Sequence, residues 1–129
     1  MRKVLFLFVL VGIMSSAGAI AAEERVVNLF TCELNEGKTQ EDVQAANRHW
    51  VRFMNENVSG GDIRSFPATP IVGEFTKFIY IDSFPSLKSW AEMVEVESAD
   101  SDEIKEIMAG LDAAATCSRN ALYRAIESG

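Results

Sequence analysis

Residues 75–84, FTKFIYIDSF, form the clearest predicted strand of the chain and decide its fold. Phe78 and Tyr80 alternate with Ile79 and Ile81, so both faces of this strand are apolar. A strand needs two apolar faces only when both faces of its sheet are covered. The segment therefore predicts an inner strand, with helices on one side of the sheet and a further layer on the other.

The residues before this strand predict a strand, a helix and a second strand. Residues 25–34 are rich in β-branched and aromatic side chains and end at a turn, which is typical of a strand. Thr39 and Asp42 have the spacing of a capping box and predict the start of a long amphipathic helix. Residues 63–73 contain two prolines, so they predict an edge strand or an irregular one.

The residues after it predict a broken helix and a last strand. A helix is expected to start near Pro85 or Ser86, to falter around residues 98–101 and then to resume. The side chains expected to be buried by its first piece are Leu87, Trp90, Ala91 and Val94, and those of its second piece are Ile104, Ile107, Met108 and Leu111. Residues 120–126 predict a short final strand. The fold class is therefore α+β, a ferredoxin-like βαββαβ with an antiparallel sheet and a second helix in two pieces.

Two stretches resemble a known superfamily. AANRHW (residues 45–50) and FIYIDSFPS (78–86), which is followed by Trp90, are similar to the antibiotic-biosynthesis-monooxygenase-like members of the dimeric α/β-barrel superfamily and to uncharacterised secreted relatives. The resemblance spans essentially residues 23–129. It implies a homodimer in which two sheets pack face to face, and a space between helix and sheet for small aromatic ligands. Some relatives oxidise such substrates without metal or flavin.

The N-terminus predicts export. Arg2 and Lys3 precede a short apolar run and small residues that end in an A-x-A pattern, so residues 1–22 are interpreted as a signal peptide. A membrane anchor is the alternative, but a spanning helix needs roughly 20 apolar residues. Residues 23–129 then form one domain, and the net charge changes from −7 to about −9. This acidity argues against nucleic acid as a partner.

Cys32 and Cys117 are the two cysteines of the chain. In a ferredoxin-like sheet, the end of the first strand lies beside the start of the last, so the two sulfurs are predicted to meet. Export favours a disulfide. The alternatives are a redox motif, which would need C-x-x-C, and a zinc site, which would need further ligands. The sequence contains no C-x-x-C motif and one histidine.

Asn47 interrupts the apolar stripe of the first helix, so its amide is expected to point inward. It either caps a local backbone group or lines a pocket, and a buried amide needs a partner in both cases. The ligand-pocket candidates are Asn47, Trp50, Tyr80 and Trp90, with Arg124 and Asn28 as weaker ones. His49 falls on the polar face of its helix and is predicted to be a solvated surface residue.

The sequence favours an exported, non-catalytic homodimer that binds a small apolar ligand. No catalytic residue is assigned, because no internal general base and no carboxylate pair in a cleft are evident. No metal-ligand spacing, phosphate loop or nucleotide fingerprint is present, so no metal or cofactor is expected. Two alternatives remain: a cofactor-independent monooxygenase-like enzyme that acts on a small aromatic substrate, and a structural, envelope-associated interaction protein.

Overall fold

A computed structural model describes residues 23–129, and the predicted signal peptide lies outside the described residues. The elements in chain order are β1 (Glu24–Leu34), α1 (Gln40–Asn57), β2 (Arg64–Ala68), β3 (Phe78–Phe84), α2 (Leu87–Ser98), α3 (Asp102–Ala114) and β4 (Ala115–Ile126). The strands form one sheet in the order β2-β3-β1-β4, and every neighbouring pair is antiparallel. This arrangement confirms the predicted ferredoxin-like α+β fold, with β2 at an edge and the second helix split in two.

The helices begin where the sequence supplies capping side chains. The Thr39 side chain accepts a hydrogen bond from the backbone of Asp42, and the Asp42 carboxylate accepts one from the Thr39 backbone at 2.8 Å. That backbone hydrogen bond lowers the pKa of Asp42. At α2 and α3 only the first half of this arrangement is present: the Ser86 hydroxyl accepts from the backbone of Ser89, and the Ser101 hydroxyl accepts from the backbone of Ile104. The capping box predicted at Thr39 is confirmed.

The helices cover one face of the sheet. On β1 and β3, alternate residues point to this side, because successive side chains of a strand face opposite ways. Val26 and Phe84 pack there against Met54 of α1 and Ile104 of α3 in the main core cluster. A second, smaller cluster includes Cys32, Val43, Phe78 and Tyr80. The core therefore lies between the sheet and the helix layer, as the two-layer fold requires.

Two expectations for the C-terminal half were wrong. β4 begins at Ala115 rather than near residue 120, since the chain passes from α3 into the strand without a loop. The predicted buried face of α2 was also misplaced: Leu87, Ala91 and Val94 are exposed, and Trp90 is half-buried. The buried residues of this helix are Ser89 and Met93. Leu87 and Val94 each border a cavity instead of the core, which leaves both side chains accessible.

The opposite face of the sheet is apolar and has no helix over it among the described residues. Its side chains from the two central strands are the half-buried Val27, Leu29, Ile79 and Ile81. Phe66 of β2 and Tyr123 of β4 extend this face at its two edges, and each is 53% exposed. We call these six residues the open sheet face. The two-sided apolar character predicted for β3 is thus present, and one of its sides is uncovered.

Cys32 and Cys117 form a disulfide between β1 and β4. The two residues are directly paired in the antiparallel register, next to an irregularity between Thr31 and Cys32. Cys32 is 1% exposed, whereas Cys117 is exposed. The bond joins residues 85 apart in sequence, so it ties the last strand to the first. The predicted disulfide is confirmed.

Candidate functional site

A cavity of about 610 Å³ lies between the sheet and the helices. Its volume falls within the range of small-molecule sites, roughly 300–1,000 Å³. All four predicted pocket residues line it, together with Asn28. Its lining also includes Asp82, Met93, Glu97, Met108, Asp112, Thr116 and Asn120. Aromatic and methionine side chains supply apolar walls, and a few polar groups lie among them.

A chain of polar side chains links two residues of the cavity lining through a third residue behind them. The amide nitrogen of Asn47 donates to the Ser65 hydroxyl at 2.9 Å, and the Ser65 hydroxyl contacts Asp82 Oδ1. α1, β2 and β3 each contribute one member, and Asn47 and Asp82 are both buried. The amide of Asn47 therefore bonds to a side chain rather than capping a backbone group. This network fixes the position of the Asp82 carboxyl at the cavity wall.

Asp82 is a buried carboxyl group with a raised pKa. Burial raises the pKa of Asp82 to about 6; the hydrogen bond from Ser65 opposes this rise, and the negative charge of Glu97 adds to it. Since Glu97 lines the same cavity, the two acids face a shared space. We expected no carboxylate pair in a cleft, and the structure brings one together.

Glu97 is held at the cavity by a tryptophan. The indole nitrogen of Trp50 donates to Glu97 Oε1 at 3.0 Å, which joins α1 to α2. Burial raises the pKa of Glu97, and this hydrogen bond opposes the rise. Trp50 is therefore both an apolar wall and the partner of a partly buried carboxylate.

Three buried side-chain atoms of the lining residues have no hydrogen-bond partner within residues 23–129. They are Asn28 Oδ1, the Tyr80 hydroxyl oxygen and Trp90 Nε1. Asn28 is 4% exposed and Tyr80 is 7% exposed. Burial and the charge of Asp82 raise the pKa of Tyr80 to about 12, so its hydroxyl is neutral at physiological pH. A buried polar group without a partner costs about 1–3 kcal/mol, which a ligand that reaches it would offset.

The cavity opens beside the start of β4. Its lining there includes Asp112 at the end of α3 and Thr116 and Asn120 on β4, and all three are exposed. Asn28 and Asp82 lie deeper and are directly paired across β1 and β3. The cavity therefore has a polar entrance, apolar walls and a polar inner end.

The remaining predicted residues lie elsewhere. His49 is exposed on α1, as predicted. Arg124 lies at the sheet edge, where it forms an ion pair with Glu24 at 3.1 Å and borders a second cavity of about 240 Å³. The suggestion that Arg124 belongs to the main pocket was therefore wrong, because β4 carries it past the end of that cavity.

Sequence reasoning missed Asp82 and Glu97, although both followed from periodicity. Asp82 occupies the next inward position after Phe78 and Tyr80 on a strand whose side chains alternate. Glu97 is seven residues after Trp90, which places both on one face of a helix. Ser65 had no such signal, because its segment was too irregular to assign a face.

No group of three or more His, Cys, Asp or Glu side chains in residues 23–129 is arranged to hold a metal ion. Over the same range, no helix is both long and apolar enough to span a membrane.

No protein-family model matches the chain, and no curated protein matches it. Solved structures do match. SnoaB, a cofactor-independent oxygenase from Streptomyces nogalater, is 9% identical with a TM-score of 0.58, and the match covers 81% of this chain and 96% of SnoaB. A NIPSNAP family protein from Agrobacterium tumefaciens is 18% identical with a TM-score of 0.51, over 77% of this chain and 90% of that one.

A proposed antibiotic biosynthesis monooxygenase from Nitrosomonas europaea is 11% identical, with a TM-score of 0.51, over 85% of this chain and 95% of that one. At these identities the matches show a shared fold. That fold is the ferredoxin-like one, so the fold that the sequence resemblance implies is confirmed.

Proposed function

We propose that the protein binds a small, largely apolar molecule in the cavity between its sheet and its helices. The observation that carries this proposal is a cavity of about 610 Å³ whose lining includes two tryptophans and a tyrosine. Deep, largely apolar pockets with a few polar groups are the usual form of a small-molecule site. Asn28 and Tyr80 supply buried polar atoms that a ligand would satisfy.

The proposal places this binding protein outside the cytoplasm, in the periplasm or the medium. Residues 1–22 would be removed as a signal peptide, and residues 23–129 would be the mature domain. The disulfide between Cys32 and Cys117 supports this, because disulfides persist in oxidising compartments.

The functional unit we propose is a homodimer that buries the open sheet face. Exposed apolar patches rimmed by polar groups are typical of interaction surfaces. Charged groups flank this face: Arg25 contacts Asp62 at 2.6 Å, and Arg64 contacts the same carboxylate at 2.9 Å. A second copy would supply the covering layer that the apolar Ile79 and Ile81 require.

Native mass spectrometry of protein purified from its own host tests all three statements. We expect a mature chain that starts near residue 23 and is two hydrogens lighter than its reduced form, in a dimer that carries extra mass from a small ligand. A dimer without retained ligand, together with no binding to any compound of a small aromatic and aliphatic library, would overturn the ligand proposal alone. A monomer at micromolar concentration would overturn the dimer alone.

Catalysis on the bound molecule is a second candidate, and Asp82 favours it. A carboxyl whose pKa is raised to about 6 suits a general base near neutral pH. SnoaB, which shares the fold, is a cofactor-independent oxygenase. In such a reaction Asp82 would take a proton from a hydroxylated aromatic, and dioxygen would be the oxidant.

An oxygen electrode tests this second candidate with a panel of electron-rich hydroxylated aromatics. If the protein is an enzyme of this type, oxygen uptake follows protein concentration and is lost in Asp82→Asn but not in Glu95→Gln, an exposed position on α2. Absence of uptake across a panel whose members bind the protein would leave binding as the function.

A further inference from the structure

The charge of the cavity lining has one sign. Its ionisable acids are Asp82, Glu97 and, at the entrance, Asp112. None of the described residues that line it is a lysine, an arginine or a histidine. The carboxylates of Asp82 and Glu97 therefore have no cationic side chain as a partner inside the cavity, and their contacts there are with Ser65 and Trp50.

The aromatic walls of the cavity, like its acids, suit a cation. Trp50, Trp90 and Tyr80 border the cavity, and tryptophan faces are the strongest aromatic partners of a cation. Met93 and Met108 line the same cavity, so its walls suit an apolar ligand body.

The buried amide of Asn28 has an oxygen without a hydrogen-bond partner in the described residues. Asn28 lies opposite Asp82 in the β1–β3 register. An amide oxygen only accepts hydrogen bonds, so the missing partner is a donor. A ligand ammonium group carries up to three N–H donors and would serve Asn28 and the carboxylates together.

The geometry points to a protonated amine attached to an aromatic or apolar body as the ligand of this cavity. This inference rests on the proposed binding function and names the chemical class of its ligand. The ammonium group lies at the inner end, among Asp82, Glu97 and Asn28, and the apolar body lies against the tryptophans. The negative charge of the whole protein, −7 over the full chain, favours approach of a cation.

Fluorescence of the protein reports this event directly, because both tryptophans of the chain line the cavity. We choose three probes with the same ring: phenethylamine, 2-phenylethanol and phenylacetate. Their rings do not absorb where tryptophan is excited selectively. We expect phenethylamine to bind roughly tenfold more tightly than the alcohol and the anion to bind weakest.

The outcomes separate this inference from the function on which it rests. Equal or tighter binding of the alcohol or of phenylacetate overturns the amine proposal and leaves the ligand-binding proposal in place. Absence of any fluorescence change with all three probes at about 10 mM overturns both, because even a millimolar Kd would then be detected.

Variants identify the groups responsible. Asp82→Asn and Glu97→Gln should each weaken phenethylamine binding by roughly tenfold to a hundredfold, and should leave binding of 2-phenylethanol within about threefold. Glu95→Gln is the control, because Glu95 is exposed on α2, the helix that carries Glu97. It should change the affinity for neither phenethylamine nor 2-phenylethanol. If Asp82→Asn and Glu97→Gln weaken the alcohol and the amine equally, they act through the structure of the pocket and the inference is wrong.

The pH dependence adds a readout that a purely structural role would not move. Asp82 contacts Ser65 of β2, which also binds Asn47 of α1, and it lies opposite Asn28 of β1. The ionisable groups around it are Glu97 of α2 and Tyr80 of β3, with Asp112 of α3 at the entrance. With the pKa of Asp82 at about 6, most of its carboxylate is protonated at pH 5. Affinity for the amine should therefore fall about tenfold from pH 7 to pH 5, since alkylammonium groups stay charged throughout. A flat profile would contradict the inference.

Discussion

Asp82→Asn should make the protein more stable at neutral pH. The pKa of Asp82 is raised from 3.8 to about 6, mainly by burial. A rise of about 2 pH units, at about 1.4 kcal/mol per unit, corresponds to about 3 kcal/mol. Asparagine keeps an oxygen that can accept from Ser65 and has no charge to bury. The variant should therefore recover up to about 3 kcal/mol of unfolding free energy at pH 7.

The sign of the pH dependence follows from proton binding. Between pH 4 and pH 6, the folded protein holds the Asp82 proton while the unfolded chain has released it. Stability of the wild type therefore falls as pH rises through this interval, and the cost is complete above about pH 7. At pH 4 or below, Asp82 is neutral in the folded state, so the variant and the wild type should differ by less than about 1 kcal/mol.

Urea unfolding at 25 °C with the disulfide intact measures both quantities. Midpoints should shift at pH 7 and converge at pH 4, with unchanged slopes. Asp112→Asn is the matched control, because Asp112 is exposed and its removal should change stability by less than about 0.5 kcal/mol. If Asp82→Asn lowers stability at pH 7 with an unchanged slope, the ionised carboxylate is a stabilising group and the reasoning fails.

Three further outcomes concern the scaffold. Replacing Cys32 and Cys117 together by alanine should lower the unfolding free energy by roughly 2–5 kcal/mol. A loss below about 1 kcal/mol would contradict a stabilising role for the disulfide. Thr39→Ala should cost about 1 kcal/mol in the same urea assay, because it removes the side chain that caps α1, and wild-type stability would contradict this. Ile81→Lys, at the centre of the open sheet face, should give monomers in sedimentation velocity. Leu87→Lys, an exposed control, should leave dimers; dimers from both variants would refute the interface.

Much of the fold was predictable because local signals agreed with one another. The alternation in β3, the capping box at Thr39 and the break before Ser101 each identified an element, and their order allowed few arrangements. The disulfide followed from that order, since it placed Cys32 beside Cys117. What failed was the boundary of β4, where the alanine-rich residues 113–115 carry no signal that separates helix from strand.

The site was predictable only in part. Asn47, Trp50, Tyr80 and Trp90 were identified from helix and strand periodicity, and the structure places all four around one cavity. Whether side chains fill such a space or leave it open depends on the distance between layers, which periodicity does not encode. The same limit explains the error on α2, because a stripe of apolar residues looks alike whether it borders a core or a cavity.

A crystal structure of the protein with phenethylamine would test the central claim most directly. The account predicts the amine nitrogen about 3 Å from a carboxylate oxygen of Asp82 or Glu97, with the ring against Trp50 or Trp90. Phenethylamine with its nitrogen at the entrance and its ring at the inner end, or a cavity closed by Trp90 and Met108 with no ligand inside, would contradict it.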